Sequence, residues 1–422
     1  MTNIDFFSLL EKNIWLFCCA LILVLVIFIK IAKKTSDSWL NPVRIELINA
    51  CIGYSIVLFL YFTGQISQNT FIYVLTSITF FWIVFCFQFP QNTTKCNLRI
   101  INESYYIRSL FFLLYFGLIL ITLFSYSRFG IPLFSDISRL NTYDGSGGFG
   151  IILRVTSFSQ IFCLFYLFHN YSKGKIGLKH LILWISPLIL FGVLSGSRSS
   201  FLQFIFAYWG FNKFYLGKSI YLSKYKSLMA IFLVVSITTF ALQLSTNYIE
   251  ASNSFLRRVV ASGDIYWGAL PDETWKDVVI KTPLKDLFAG FLAPLRLISD
   301  YDDSVGLQVF QQITGDYSQI AGPNELFPVA SLIYFGYTGG LVFSLFQAFF
   351  FCFLARKFYR QSDSLLFSAF FYYSFKSCII FMGPFRDAVG YMFNVFLNII
   401  LVLVLCMILA MLPILSKTKQ PV

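Results

Sequence analysis

The sequence predicts an all-α polytopic membrane protein with about eleven spanning helices (ten to twelve) and one large extracytoplasmic loop. Three observations carry that expectation. The 422 residues are 57% hydrophobic and only 12% charged, with a mean hydropathy of +0.72; a soluble globular protein carries roughly 25% charged residues. Apolar runs near the roughly 20 residues needed to cross a bilayer recur along the whole chain. The short loops between them alternate between basic and non-basic, as the positive-inside rule demands.

The candidate helices are 14–31, 45–63, 71–89, 110–126, 151–169, 180–196, 201–217, 228–245, 328–354, 365–383 and 391–414. The first lacks a basic leader and a small-residue cleavage site, so it is expected to be retained. Basic residues follow each odd-numbered helix. Lys30, Lys33, Lys34 and Arg44 follow the first, and Lys95, Arg99 and Arg108 the third. Lys173, Lys175 and Lys179 follow the fifth, and Lys213, Lys218, Lys224 and Lys226 the seventh. Arg356, Lys357 and Arg360 follow the ninth, and Lys417 and Lys419 the eleventh. This places the N-terminus outside and the C-terminus inside. Residues 1–422 then form one transmembrane domain, with 246–327 as the large outer loop inside it. That loop holds 11 acids against 6 bases. Its apolar stretch 287–298 is too short to span and is expected to lie at the interface or cap a cavity.

The net charge of +12 is accounted for by topology and does not indicate nucleic acid. Eight of the nine cysteines lie in apolar segments and Cys96 in a predicted cytoplasmic loop, so no disulfide is expected outside. The two histidines, His169 and His180, flank the predicted cytoplasmic loop 170–179. No outer His or Cys is left to hold a metal, and no metal or other cofactor is expected.

The two faces use different cations. Under this topology the inner face carries 14 Lys and 5 Arg, and the outer face 4 Lys and 8 Arg, with Lys376 inside a helix. Lys and Arg set topology equally well, so topology leaves the split unexplained. Arginine presents a planar fork that binds phosphate or carboxylate bidentately. The outer arginines are Arg128, Arg139, Arg154, Arg198, Arg257, Arg258, Arg296 and Arg386. Taken singly, each has a plainer reading as a salt-bridge partner of a loop acid.

Arg198 is the leading candidate. Gly196-Ser197-Arg198-Ser199-Ser200 closes one helix and opens the next. Ser199 or Ser200 suits an N-cap, and the free N–H groups of that helix end beside a guanidinium would make an anion site. The alternative is a plain hairpin turn. Arg154 follows the glycine-rich 145–150 and could equally snorkel. Arg386 and Asp387 follow Pro384, where a local ion pair is the plainer reading. Lys376 is a functional candidate because an intramembrane lysine is costly. Among the outer acids, Asp136, Asp144, Asp264, Asp316 and Glu325 could each act as a general base. Spacing singles out none of them. Asp300, Asp302 and Asp303 read as a solvated turn rather than a metal site.

Three stretches resemble the O-antigen polymerase (Wzy-type) family of oligosaccharide repeat unit polymerases. They are Gly130-Ile131-Pro132-Leu133-Phe134, the Ser195-Gly196-Ser197-Arg198-Ser199-Ser200 hairpin, and the long outer loop ahead of Gly336-Tyr337-Thr338-Gly339-Gly340. The helix layout is similar over most of the chain. The family's Arg-x10-Gly spacing has counterparts at Arg139/Gly150 and Arg257/Gly268. The resemblance implies a GT-C-like fold and a glycosyltransferase in the bacterial inner membrane. It implies inverting-type transfer of a growing glycan from undecaprenyl pyrophosphate to a repeat unit on the same lipid, without nucleotide sugar or metal. A chain-length regulator protein would be a partner. Arg198, Arg257, Arg258 and Arg296 would then be catalytic, stabilising the departing pyrophosphate. Arg139, Arg154, Ser199, Ser200, Lys376 and Arg386 would bind it. Two alternatives stand beside this reading. An O-antigen ligase would use an outer histidine, which this topology does not provide. A lipid-linked oligosaccharide flippase would carry more charge inside the membrane and would need no large outer loop.

Overall fold

The computed structural model describes residues 1–35, 38, 40–98, 103–134, 149–195, 200–220, 260–317 and 322–417. It is a mostly helical, multi-pass membrane protein. Among the described residues, seven helices are long and apolar enough to cross a bilayer. Ten of the eleven predicted ranges fall on helices, and the range 228–245 lies outside the described residues. The chain divides into two compact units. One is built from Met1–Gln91, Tyr225–Lys357 and Cys378–Tyr391, the other from Asn92–Lys224, Phe358–Ser377 and Met392–Val422.

The first unit begins with a short helix that the hydropathy pattern does not reveal, α1 (Asn3–Lys12). It starts at a capping box: Thr2 accepts from the Asp5 N–H, and the Asp5 carboxylate accepts from the Thr2 N–H. Phe6 stacks on Trp267 at 4.1 Å, and the Trp267 indole donates to Asn3 at 2.9 Å. Helices α2 (Ile14–Thr35), α3 (Pro42–Phe62) and α4 (Gln68–Gln88) follow. Asn41 and Ser67 cap α3 and α4, and Pro42 occupies the first position of α3, where its missing N–H costs nothing.

The described part of the large loop is ordered into short helices, among them α9 (Asp264–Ala269), α10 (Pro283–Leu287) and α11 (Val305–Thr314). Within it Leu284, Phe288, Phe291 and Leu295 are exposed at helix-like spacings. An exposed apolar stripe of this kind has the chemistry of an interfacial segment. The long helix α12 (Phe327–Phe358) is interrupted at Gly336. It packs on α4 through small hydroxyls: Ser77–Ser344 at 2.7 Å, Tyr73–Ser331 at 3.0 Å and Thr70–Tyr337 at 3.0 Å. Such side chains hold helices together in lipid, where apolar contact gives no net drive.

The second unit contains α5 (Glu103–Phe129), α6 (Phe149–Ser172), α7 (Leu178–Leu194) and α8 (Ser200–Gly210), which continues as a π-helical turn over Phe211–Tyr215. Strand pairing, which the apolar pattern does not anticipate, joins β1 (Thr94–Cys96) to β2 (Arg360–Ser362) in parallel, with Lys95 opposite Gln361. The chain passes between the units within α13 (Leu365–Ile379) and within α14 (Phe385–Lys417). The turn before α14 is held by Gln347, whose amide donates to the carbonyls of Phe381 and Gly383 at 2.8 and 2.7 Å. Those acceptors lack partners because Pro384 prevents the helix from continuing.

Burial follows composition. The most apolar span, Ile14–Lys33, is 22% buried, whereas the least apolar, Leu365–Met382, is 72% buried. The more polar spans bury their side chains inside the protein and the more apolar ones leave them exposed, the pattern expected where lipid is the solvent.

Candidate functional site

The first unit holds a buried charged cluster at the start of α14. Arg386, in the first turn, has a side chain 13% exposed and places Nη1 2.8 Å from Asp286 Oδ1; the Asp286 side chain is fully buried. The same Nη1 donates to the Asp302 carbonyl at 3.0 Å, and the guanidinium lies over the Tyr301 ring at 5.4 Å. Tyr334, from α12, donates its hydroxyl to Asp286 Oδ2. The Asp286 carboxyl is pushed up by burial, against the opposing hydrogen bond from Tyr334 and the charge of Arg386.

Glu325, just ahead of α12, adjoins this cluster electrostatically. It is 8% exposed, and its Oε1 accepts from the Gly306 N–H at 3.3 Å. Its Oε2 is buried with no hydrogen-bond partner among the described residues. Burial first, and then the Asp387 charge, push the carboxyl up to about 7. A carboxyl titrating there can take or give a proton at neutral pH.

The loop reaches α14 because Gly290 has no side chain. A Cβ there would sit 2.7 Å from the Arg386 carbonyl and the Gly390 nitrogen. That approach sets Asp286, four residues earlier, against Arg386. The local pair expected between Arg386 and Asp387 is therefore replaced: the partner is Asp286, 100 positions away in sequence, and Asp387 is exposed. The run at 300–303 acts as a turn. Asp302 Oδ2 accepts from the Lys281 N–H at 2.9 Å, and the Asp303 carbonyl accepts from Gln308 at 2.9 Å.

The second unit carries a separate polar network within its helices. Arg154 donates to Asn394 Oδ1 at 3.0 Å and lies over Phe393 at 5.5 Å. Asn398 donates to the Arg154 carbonyl at 3.0 Å, and Tyr373 bonds Ser157 at 3.0 Å. Lys376 follows Tyr373 by three residues on α13, so the two share a helix face.

The remaining predicted site residues separate clearly. Arg139, Arg198, Ser199, Arg257 and Arg258 lie outside the described residues, and Ser200 opens α8. Arg296 is exposed, at a backbone φ of 57° that only glycine adopts without cost. Sequence reasoning missed Asp286, Tyr334 and the two asparagines. Asn394 and Asn398 carried a legible signal, two amides at i, i+4 inside an apolar run. Asp286 carried none, because its neighbours Lys285 and Leu287 look like any loop. Among the described residues, no group of three or more His, Cys, Asp or Glu is placed to hold a metal ion. No protein family, no curated protein and no solved structure matches this chain.

Proposed function

We propose that this protein polymerises undecaprenyl-pyrophosphate-linked oligosaccharide repeat units into a surface polysaccharide such as O-antigen. It would do so in the bacterial inner membrane, with eleven spans in a GT-C-like arrangement, the N-terminus outside and the C-terminus inside. The reaction occurs at the outer face. The acceptor sugar hydroxyl attacks the donor's anomeric carbon, the bond from that carbon to the pyrophosphate oxygen breaks, and lipid pyrophosphate leaves carrying the negative charge. The observation that carries this reading is the concentration of arginine, rather than lysine, on the predicted outer face. The built cluster at Arg386 supports it. Nη1 is engaged, while the other guanidinium nitrogens have no partner among the described residues and remain able to meet an anion. Glu325 and Asp264, both raised by burial to about 7, are the candidates to accept the hydroxyl proton.

A flippase is the second reading. It is favoured by one observation, the presence of Arg154 and Lys376 within helices.

Glycan chain length in a deletion strain separates the readings. Single-repeat caps support the polymerase, unattached polymer supports a ligase, and lipid intermediates held on the cytoplasmic side support the flippase. Arg198→Ala and Arg198→Lys then test the anion site. Loss of a transition-state donor costs about 10²–10³ in rate, and lysine does not replace the fork. Normal extension by Arg198→Lys would remove bidentate phosphate binding at that position.

A further inference from the structure

The second unit contains a cavity of about 810 Å³ that takes no part in the proposed reaction. Its wall is aromatic and preformed. Phe111 stacks on Tyr166 at 4.3 Å, Trp184 meets Phe111 edge-on at 5.7 Å, and Tyr115 pins the Trp184 carbonyl at 2.9 Å. Two exposed cations line the cavity, Arg108 near the start of α5 and Lys175 just beyond α6. Lys175 is set by the helix end. Gly174, at φ 68°, closes a Schellman turn in which the Lys175 N–H donates to the Asn170 carbonyl at 2.9 Å. Neither cation has a carboxylate partner among the described residues, and no Asp or Glu lines the cavity. His169 adds a buried Nδ1 that has no hydrogen-bond partner among the described residues.

Cations with no carboxylate partner among the described residues, beside an aromatic wall, call for a ligand that is anionic at one end and apolar at the other. A bare anion would leave most of this volume unfilled, since the cavity is the size of a small-molecule site. We propose that it binds one anionic glycerophospholipid. The headgroup phosphate sits between Arg108 and Lys175, and the glycerol and first acyl carbons lie along Phe112 and Trp184. Arg108 supplies the bidentate fork and Lys175 a point charge. Basic pockets between membrane helices bind phospholipid headgroups in this manner. The proposal does not depend on the reading of the protein as a polymerase.

The test uses the full-length protein purified in neutral detergent, with lipid binding followed by native mass spectrometry and by thermal melting. Phosphatidylglycerol should be retained and should raise the melting temperature; phosphatidylcholine and inorganic phosphate should do neither. Each cation near an anionic headgroup contributes about a 5-fold gain in affinity, so Arg108→Ala/Lys175→Ala should weaken phosphatidylglycerol about 30-fold. Both residues are exposed, so the double variant should melt like the wild type without lipid. Lys357→Ala, an exposed cation elsewhere, should bind normally. Retention of phosphatidylcholine equal to that of phosphatidylglycerol would show an ordinary lipid-facing groove and overturn the proposal. An equal effect from inorganic phosphate would make the site a simple anion site and also overturn it. Phosphatidylglycerol binding by the double variant within 2-fold of wild type would do the same.

Discussion

Replacing Arg386 by methionine keeps the length of the side chain and removes its charge, which leaves Asp286 fully buried and unpaired. An isolated buried carboxylate does not persist; it takes a proton. The cost of the variant is therefore bounded by the work of protonating a group whose ordinary value is about 3.9. At pH 7 this is about 3.1 units, or about 4 kcal/mol; at pH 5 it is about 1.1 units, or about 1.5 kcal/mol. The bound at neutral pH agrees with the roughly 3–5 kcal/mol usually lost when one partner of a buried pair is removed. Asp286→Asn/Arg386→Met should recover most of that loss, because an amide in place of the carboxylate is neutral and still accepts from Tyr334. Thermal melting of the detergent-solubilised protein at pH 5 and pH 7 gives the rank order. Arg386→Met should be the least stable at pH 7, improve relative to wild type at pH 5, and be rescued by the second substitution. Wild-type melting by Arg386→Met at pH 7, or failure of Asp286→Asn to rescue it, would refute the buried pair as the source of stability at this point.

The raised Glu325 sets a second pH dependence. The folded state holds that proton more tightly than the unfolded one, so its contribution to stability is lost as pH rises from about 4.5 to 7. Glu325→Gln should therefore melt higher than wild type at pH 8 and show no gain at pH 4; an equal gain at both pH values would contradict the burial argument. In the proposed reaction, Glu325→Gln should also stop chain extension while leaving lipid-linked repeat units intact, which glycan gels would show. Gly290→Ala should destabilise by about 1–3 kcal/mol, because the added methyl meets backbone rather than a yielding side chain; a wild-type melting curve would deny the close approach. Asn394→Leu should cost about 1–2 kcal/mol by depriving Arg154 of its acceptor, with Asn394→Asp tolerated better in the same melt. Reporter fusions after Asn170 and Ser223 should read cytoplasmic and a fusion after Asp272 extracytoplasmic, and reversal at two of them would invert the proposed topology.

The helices were legible because the lipid solvent acts on each segment independently. A run such as 391–414 must satisfy its backbone internally wherever it lies, so composition alone marks it. The same logic explains what hydropathy missed. Helix α1 is short and amphipathic, announced only by Thr2 and Asp5, and its burial comes from Trp267, far along the chain. The three-residue β1–β2 pair is set by long-range backbone bonds that no local pattern encodes. Arg386 was legible as a candidate because it is one of the arginines on the predicted outer face, but its nearest acid in sequence, Asp387, was the wrong partner. Asp387 makes no ion pair with Arg386, while the absence of a side chain at Gly290 lets the distant Asp286 enter. Sequence determined by itself that the chain is helical and crosses a membrane repeatedly. Only the tertiary structure decided which charges are buried and with whom, because desolvation and ion pairing depend on distances between residues that the chain separates by a hundred positions.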